Sequence, residues 1–266
     1  MFKSFYSLSK NPFTKEINTK DLFSSKNFTE IKARLNYLKK TRGIGVIVGE
    51  SGSGKTSSLR AFTNDLNSSL FKVIYFPLST GTVMDFYRGL ASGLGENPGF
   101  RKVDLFQQIQ HAVLKMYHDK KITPVFILDE MQLAANKFLF DLSILFNFSM
   151  DSEDPFILIL TGLTYFLDKL SLNQNQSLNQ RVVMKYQFSA LSKDEVNNYI
   201  KHQLDLAGAN HLIFSPQAIK AIASNSRGLP RLVNKLATNS LLLGYQLKAE
   251  TINEEIVFRA TEDMRL

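Results

Sequence analysis

The sequence predicts an α/β fold in which a parallel sheet carries helices on both faces, followed by a small all-helical unit. Three observations lead there. Short apolar runs at 45–48, 73–77, 125–128 and 156–160 lack polar/apolar alternation, as strands buried on both faces require, and a last strand at 182–188 completes the expected sheet. A stretch with helical spacing precedes them at 29–40, and others lie between them at 56–66, 83–94, 105–117 and 136–148. After Ser192 the strand signals stop, and helical stretches remain at 193–206, 216–224, 229–244 and from Asn253 onward.

Taken in order, residues 1–25 mix Phe2, Phe5, Tyr6 and Phe13 with lysines, and Asn11-Pro12 interrupts any helix, so this segment reads as an ordered arm. The helix at 29–40 sets Ile31, Leu35 and Leu38 on one face and Lys/Arg on the other. The strands that follow are Val-Ile-Tyr-Phe-Pro at 73–77, Val-Phe-Ile-Leu at 125–128 and Phe-Ile-Leu-Ile-Leu at 156–160. Residues 172–180 are rich in Asn and Gln and read as a loop. In the helical unit, Ser192 with Glu195 forms a capping-box signal, and Ser215-Pro216 marks a helix start. The expected domains are an arm at 1–25, an α/β domain at 26–190 and a helical domain at 191–266.

A chain of 266 residues can bury a full core, and 44% hydrophobic with 21% charged residues is an ordinary globular composition. With no cysteine there is neither a disulfide framework nor a thiolate metal site. His111, His118, His202 and His211 show no metal-ligand spacing. No signal peptide is visible, and the longest apolar run, near 138–148, is too short to cross a bilayer and contains Asp141. A cytoplasmic protein with no membrane partner is expected. The net charge of +8 suits a polyanionic partner, and residues 1–42 alone carry ten Lys/Arg against three Asp/Glu. A solvated basic face with no partner stays open as the alternative.

Chemistry enters at residues 49–57, Gly49-Glu50-Ser51-Gly52-Ser53-Gly54-Lys55-Thr56-Ser57, between a strand and a helix. This is the phosphate-loop pattern: backbone N–H groups wrap phosphate oxygens, and the following helix aims its positive end at them. Lys55 is expected on the terminal phosphates of ATP and the Thr56 hydroxyl on Mg²⁺. About seventy residues later an apolar strand ends in Asp129-Glu130. Beside the loop's strand, Asp129 would join the Mg²⁺ shell and Glu130 would act as general base toward water. Thr161, just past 156–160, is the candidate polar residue at the end of a neighbouring strand, although a plain turn threonine fits as well. Arg181 and Arg231 are candidate cations for charge developing on the γ-phosphate. Spacing alone does not set them apart from other arginines.

Together these features resemble the AAA+ ATPases of the ExeA type, which include the transposition regulators TnsC, TniB and MuB. The resemblance runs nearly end to end. It rests on Phe5-Tyr6 with Asn11-Pro12-Phe13, the glycine loop, Leu-Asp-Glu-Met-Gln at 128–132 and Leu-Asn-Gln-Arg at 178–181. It also rests on Tyr199-Ile-x-x-Gln-Leu, Ala207-Gly208-Ala209 and Gly228-Leu-Pro-Arg231-Leu-Val-Asn234. The resemblance implies a five-stranded parallel sheet with a helical lid, assembled into rings or helical filaments with ATP between subunits. It implies that Arg181 is a finger reaching a neighbour's ATP, that Arg231 is the lid's sensor arginine, and that the aromatic arm lies near the adenine. One departure is Gly162-Leu163, where many relatives carry Gly-Gln or Gly-Thr.

An end at Leu266 directly after the lid is expected to favour the transposition branch over the longer secretion proteins. In that branch the ATP-bound homo-oligomer wraps duplex DNA, recruits a DDE transposase and disassembles on hydrolysis. A secretion or envelope-assembly ATPase and a helicase or initiator loader are the alternatives. DNA contacts to the backbone need only cations and amides. The candidates are Thr80 and Thr82 in the loop after the second strand, and Arg101-Lys102 after a glycine-rich loop.

Overall fold

The computed structural model describes residues 2–77 and 82–263. In chain order its elements begin with α1 (Phe2–Phe5), α2 (Lys26–Thr41), β1 (Gly43–Val48), α3 (Lys55–Asn64) and β2 (Phe71–Pro77). There follow α4 (Val83–Leu94), α5 (Lys102–His118), β3 (Thr123–Asp129), α6 (Asn136–Leu145) and β4 (Ile157–Gly162). The remainder are α7 (Phe166–Ser171), α8 (Gln176–Gln180), β5 (Val182–Gln187), α9 (Lys193–Leu206), α10 (Pro216–Asn225), α11 (Pro230–Gln246) and α12 (Glu254–Asp263). The strands form one parallel five-stranded sheet in the order β2-β3-β4-β1-β5, the α/β architecture expected from the sequence.

The chain divides into two compact units, one of Glu30–Gly49 with Ser58–Phe188 and one of Met1–Thr29, Glu50–Ser57 and Ser189–Leu266. In the first unit, successive strand residues point to opposite faces, and each face has its own helix layer. Ile44, Val46, Phe126, Leu128, Leu158 and Leu160 pack with residues of α4, α5, α6 and α7. Ile47, Val125, Ile127, Ile157 and Ile159 pack with Ile31, Leu35 and Leu38 of α2 and Leu59 and Phe62 of α3. Burial on both faces explains why these strands show no alternation.

The strand ending in Asp129, expected beside the loop's strand, is separated from β1 by β4. The outer strand β2, expected to be buried on both faces, exposes Val73 and Tyr75, because it pairs on one side only. Two local readings also differ from the structure. The helix expected to reach residue 148 ends at Leu145, after which Phe146 and Phe148 turn inward to pack on Phe156. The segment 172–180, expected as a loop, contains the short helix α8, which buries Leu178 in the sheet unit's core. Its polar composition hid one apolar anchor.

In the second unit, α9 starts with the capping box of Ser192 and Glu195, and α10 starts at Ser215 with Pro216 in its first turn. The arm is part of this unit's core: Tyr6, Leu8 and Phe13 are buried in one cluster with Val196, Phe214, Leu241 and Ile252. Tyr6 is 0% exposed, and its hydroxyl donates to the Ala249 carbonyl at 2.9 Å. Burial pushes its pKa up to about 12, so the phenol stays a donor. Tyr6→Ala should therefore lower the stability of the helical unit by about 3 to 5 kcal/mol in chemical denaturation, as large aromatic truncations in cores do.

Candidate functional site

Strands β1, β3 and β4 stop at one edge of the sheet. Val48 is in register with Gly162, and Leu128 with Leu160; the Gly49 amide extends the ladder by donating to the Gly162 carbonyl at 3.2 Å. From this edge the glycine loop leaves β1, and Asp129-Glu130 terminate β3. Ligands of open parallel sheets gather beyond the carboxyl ends of strands, because loops rather than core side chains are available there.

The loop closes on itself through Ser53 N–H to the Glu50 carbonyl at 3.1 Å and leads into α3 at Lys55. Gly52 and Gly54 have φ of +81° and +105°, a region that side chains disfavour. The Lys55 ammonium lies 3.1 Å from the Glu50 carbonyl, so its charge sits within the loop. The Ser53 hydroxyl is buried with no hydrogen-bond partner among the described residues. An inward hydroxyl of this kind, left-handed glycines and the N-terminus of a ten-residue helix form a donor set suited to phosphate oxygens. The loop therefore fits a nucleotide's phosphates.

Arg231 stands against this loop. Its guanidinium Nη1 donates to the Ser51 hydroxyl at 2.8 Å, and its backbone N–H donates to the Gly52 carbonyl at 3.3 Å. A Cβ on Gly52 would lie 2.5 Å from the Arg231 Cβ. The arginine begins α11 behind Pro230, whose fixed φ suits a first helical turn.

In the sheet unit, Asp129 accepts from the Tyr75 hydroxyl at 3.0 Å through Oδ2 and from the Glu130 N–H at 2.9 Å through Oδ1. Tyr75 lies on β2, whose Pro77 is in register with Asp129. Partial desolvation and the Asp129 and Glu130 carboxylates push the tyrosine up to about 12, so it stays protonated and donates. Glu130 has a left-handed backbone, φ 59°, uncommon for a residue with a side chain and frequent where a site requires it. Its Oε2 accepts from Gln132 Nε2 at 2.6 Å. Thr161 is 1% exposed, and its Oγ1 has no partner among the described residues. A buried orphan hydroxyl one residue from the end of β4 is also consistent with a site that takes a polar ligand.

Sequence reasoning missed Tyr75 and Gln132. The glutamine lies inside the quoted Asp-Glu-Met-Gln motif, and that signal could have drawn attention to it; nothing local marks Tyr75, whose role depends on strand pairing.

Arg181 lies at the opposite edge of the sheet. It precedes Val182, which is in register with Ile44 near the start of β1. Its guanidinium donates to the Ser143 carbonyl at 2.6 Å and pairs with Asp151 at 3.0 Å, and its side chain is 17% exposed. Asp154 is close by: burial and the Asp151 charge raise its pKa, against the opposing pull of Arg42 and Arg181. Five rises of about 3.3 Å along six-residue β1 separate the two edges by on the order of 17 Å.

The candidate DNA contacts are scattered. Thr80 lies outside the described residues. Thr82 caps α4 in a capping box with Asp85. Arg101 makes a two-pronged pair with Asp104, and Lys102 pairs with the buried Asp141 at 2.6 Å.

A glycine loop between strand and helix, an acidic pair ending a parallel strand and a companion helical unit define a P-loop protein of AAA+ architecture. The model of the AAA domain family matches residues 38–170, half of the chain, and the chain belongs to that family. General secretion pathway protein A of Aeromonas hydrophila is 27% identical over 251 residues, which is 92% of this chain and 45% of that protein. The chain thus spans less than half the length of that relative. Among solved structures, Cdc6p from Pyrobaculum aerophilum matches at a TM-score of 0.70 and 15% identity, over 98% of this chain and 70% of that one. The Aeropyrum pernix ORC1 protein in complex with DNA matches at 0.69 and 14%, over 95% and 68%. The Thermotoga maritima RuvB Holliday junction branch migration motor matches at 0.58 and 18%, over 98% and 73%. At such identities these likenesses show the fold. Among the described residues no helix is long and apolar enough to cross a membrane.

Because Gly52 combines a positive φ with a 2.5 Å approach to Arg231, Gly52→Ala should displace the loop from the arginine. We expect nucleotide affinity to fall at least about tenfold while the melting temperature shifts by only a few degrees, as for a strain of roughly 1–2 kcal/mol; titration with a fluorescent ATP analogue checks it.

Proposed function

We propose that this chain is an ATPase whose nucleotide state controls an oligomer on duplex DNA, acting as a regulator of transposition. The observation that carries the ATPase reading is the shared sheet edge, where β1 releases the glycine loop and β3 ends in Asp129-Glu130. In this reading residues 49–57 cradle the phosphates, Lys55 bridges the terminal ones, and Thr56 and Asp129 hold Mg²⁺. When bound, the ion supplies charge neutralisation at the transferring phosphoryl group. Tyr75 orients Asp129, Glu130 takes the proton of the attacking water, Thr161 offers its hydroxyl from β4, and Arg231 contributes charge from the loop side.

Arg181 cannot serve the site of its own sheet edge across on the order of 17 Å. Action on a neighbouring subunit's ATP accounts for that position and makes hydrolysis depend on assembly, a slow switch rather than a steady motor. The DNA part is supported by the +8 charge and by the fold shared with the ORC1 protein solved in complex with DNA. A DDE transposase is the partner proposed on the resemblance to the transposition regulators, and a cytoplasmic location goes with it. The identity to general secretion pathway protein A favours a second reading, an ATPase of secretion assembly indifferent to DNA.

Lys55→Ala should abolish nucleotide binding, and Glu130→Gln should bind ATP normally while lowering turnover by about 10²- to 10⁴-fold. With duplex DNA, Glu130→Gln should give persistent rings or filaments by electron microscopy. Monomers under those conditions, with no ATP-dependent shift of DNA, would leave the secretion reading. Arg181→Ala should bind ATP yet hydrolyse it poorly, and mixing it with Lys55→Ala should restore turnover; unchanged turnover in Arg181→Ala removes it from the reaction.

A further inference from the structure

We propose that Gln132 is a positioning residue for Glu130, a role that rests on the ATPase reading above. The glutamine occupies a 3-10 turn, Met131–Leu133, that follows Glu130, and it is 7% exposed. Its side-chain amide joins two elements at once. Nε2 donates to Glu130 Oε2 at 2.6 Å, and Oε1 accepts from the Leu163 N–H, just past β4, at 3.0 Å. These partners admit one orientation only, because a flipped amide would set two acceptors together and two donors together. The turn itself is anchored, since Lys169 Nζ donates to the Gln132 carbonyl at 3.2 Å and also to that of Ala134.

The space for the amide comes from Gly162. A Cβ there would lie 2.8 Å from Gln132 Oε1, closer than such contacts allow. The glycine that ends β4 and the glutamine that follows the acidic pair are thus two halves of one fitting. Its effect falls on an exposed glutamate whose side chain would otherwise sample several rotamers. One carboxylate oxygen is tied to a buried amide that the end of β4 holds still, which fixes the direction in which the other meets a water. A general base must be within hydrogen-bond reach of its proton, and small misplacements there cost large factors in rate.

The same contacts could also serve only to hold the turn against β4, and Gln132→Glu separates the two roles. It keeps an acceptor for Leu163 N–H, removes the donor to Glu130 and sets a second carboxylate against it. If Gln132 positions Glu130, Gln132→Ala and Gln132→Glu each lower kcat about 10- to 100-fold, with KM and nucleotide affinity within about threefold of wild type. Amide exchange of the peptide carrying Leu163 should accelerate in the alanine variant and stay slow in the glutamate variant. Gly162→Ala should lower kcat as Gln132→Ala does, and combining the two should cost less than about twofold further, since truncation removes the 2.8 Å contact and leaves only backbone contacts of 3.3 and 3.4 Å to the Gln132 and Met131 nitrogens. Wild-type kcat in Gln132→Glu with Leu163 still protected overturns the proposal, and so do effects of Gly162→Ala and Gln132→Ala that simply multiply. Wild-type protein that binds nucleotide but never hydrolyses it, with DNA or without, overturns the ATPase reading itself, which the wild-type control reveals independently of the variants.

Discussion

The rest of the structure depends on the parallel register of β1, β3 and β4. Parallel strands cannot be joined by tight turns, so each must be followed by a crossover that returns to the same starting edge. All strands then finish at one edge, and whatever follows a strand is delivered there. The glycine loop, the acidic pair and the Thr161-Gly162 step are three such deliveries. The same geometry sends the residue before a strand to the far edge, which is where Arg181 stands. One pairing pattern thus separates residues that follow these strands from those that precede them.

Much of this was legible in the residue order because burial on both faces leaves a plain trace. Runs such as Phe-Ile-Leu-Ile-Leu at 156–160 carry no polar face, and the observed β4 is buried along its whole length. The caps at Ser192 and Ser215 were equally visible, since a capping hydroxyl and its partner lie within one turn. The glycine loop could be read for a related reason: its backbone conformation and its lysine belong to one continuous stretch.

What the sequence did not reveal depends on contacts between segments far apart in the chain. Tyr75 reaches Asp129 because β2 pairs with β3, a fact of register that no local pattern encodes. Gln132 meets Leu163 only after β4 has been laid beside β3. Arg181 gave no hint that Asp151 and a helix carbonyl would hold it. The α8 turn was hidden by its Asn/Gln composition, because a single leucine can anchor a short helix without producing any periodicity.

The arm has a consequence for how the chain acquires its shape. The Tyr6 hydroxyl finds its acceptor 243 residues later, and Leu8 and Phe13 share a core with residues beyond 190. The sheet unit is therefore spliced into the middle of a unit whose sequence flanks it on both sides. On a ribosome emitting the chain from its amino end, the sheet unit has all its strands while the arm still waits for its core. High separation between partners slows closure, so the arm's aromatic side chains spend the synthesis interval uncovered.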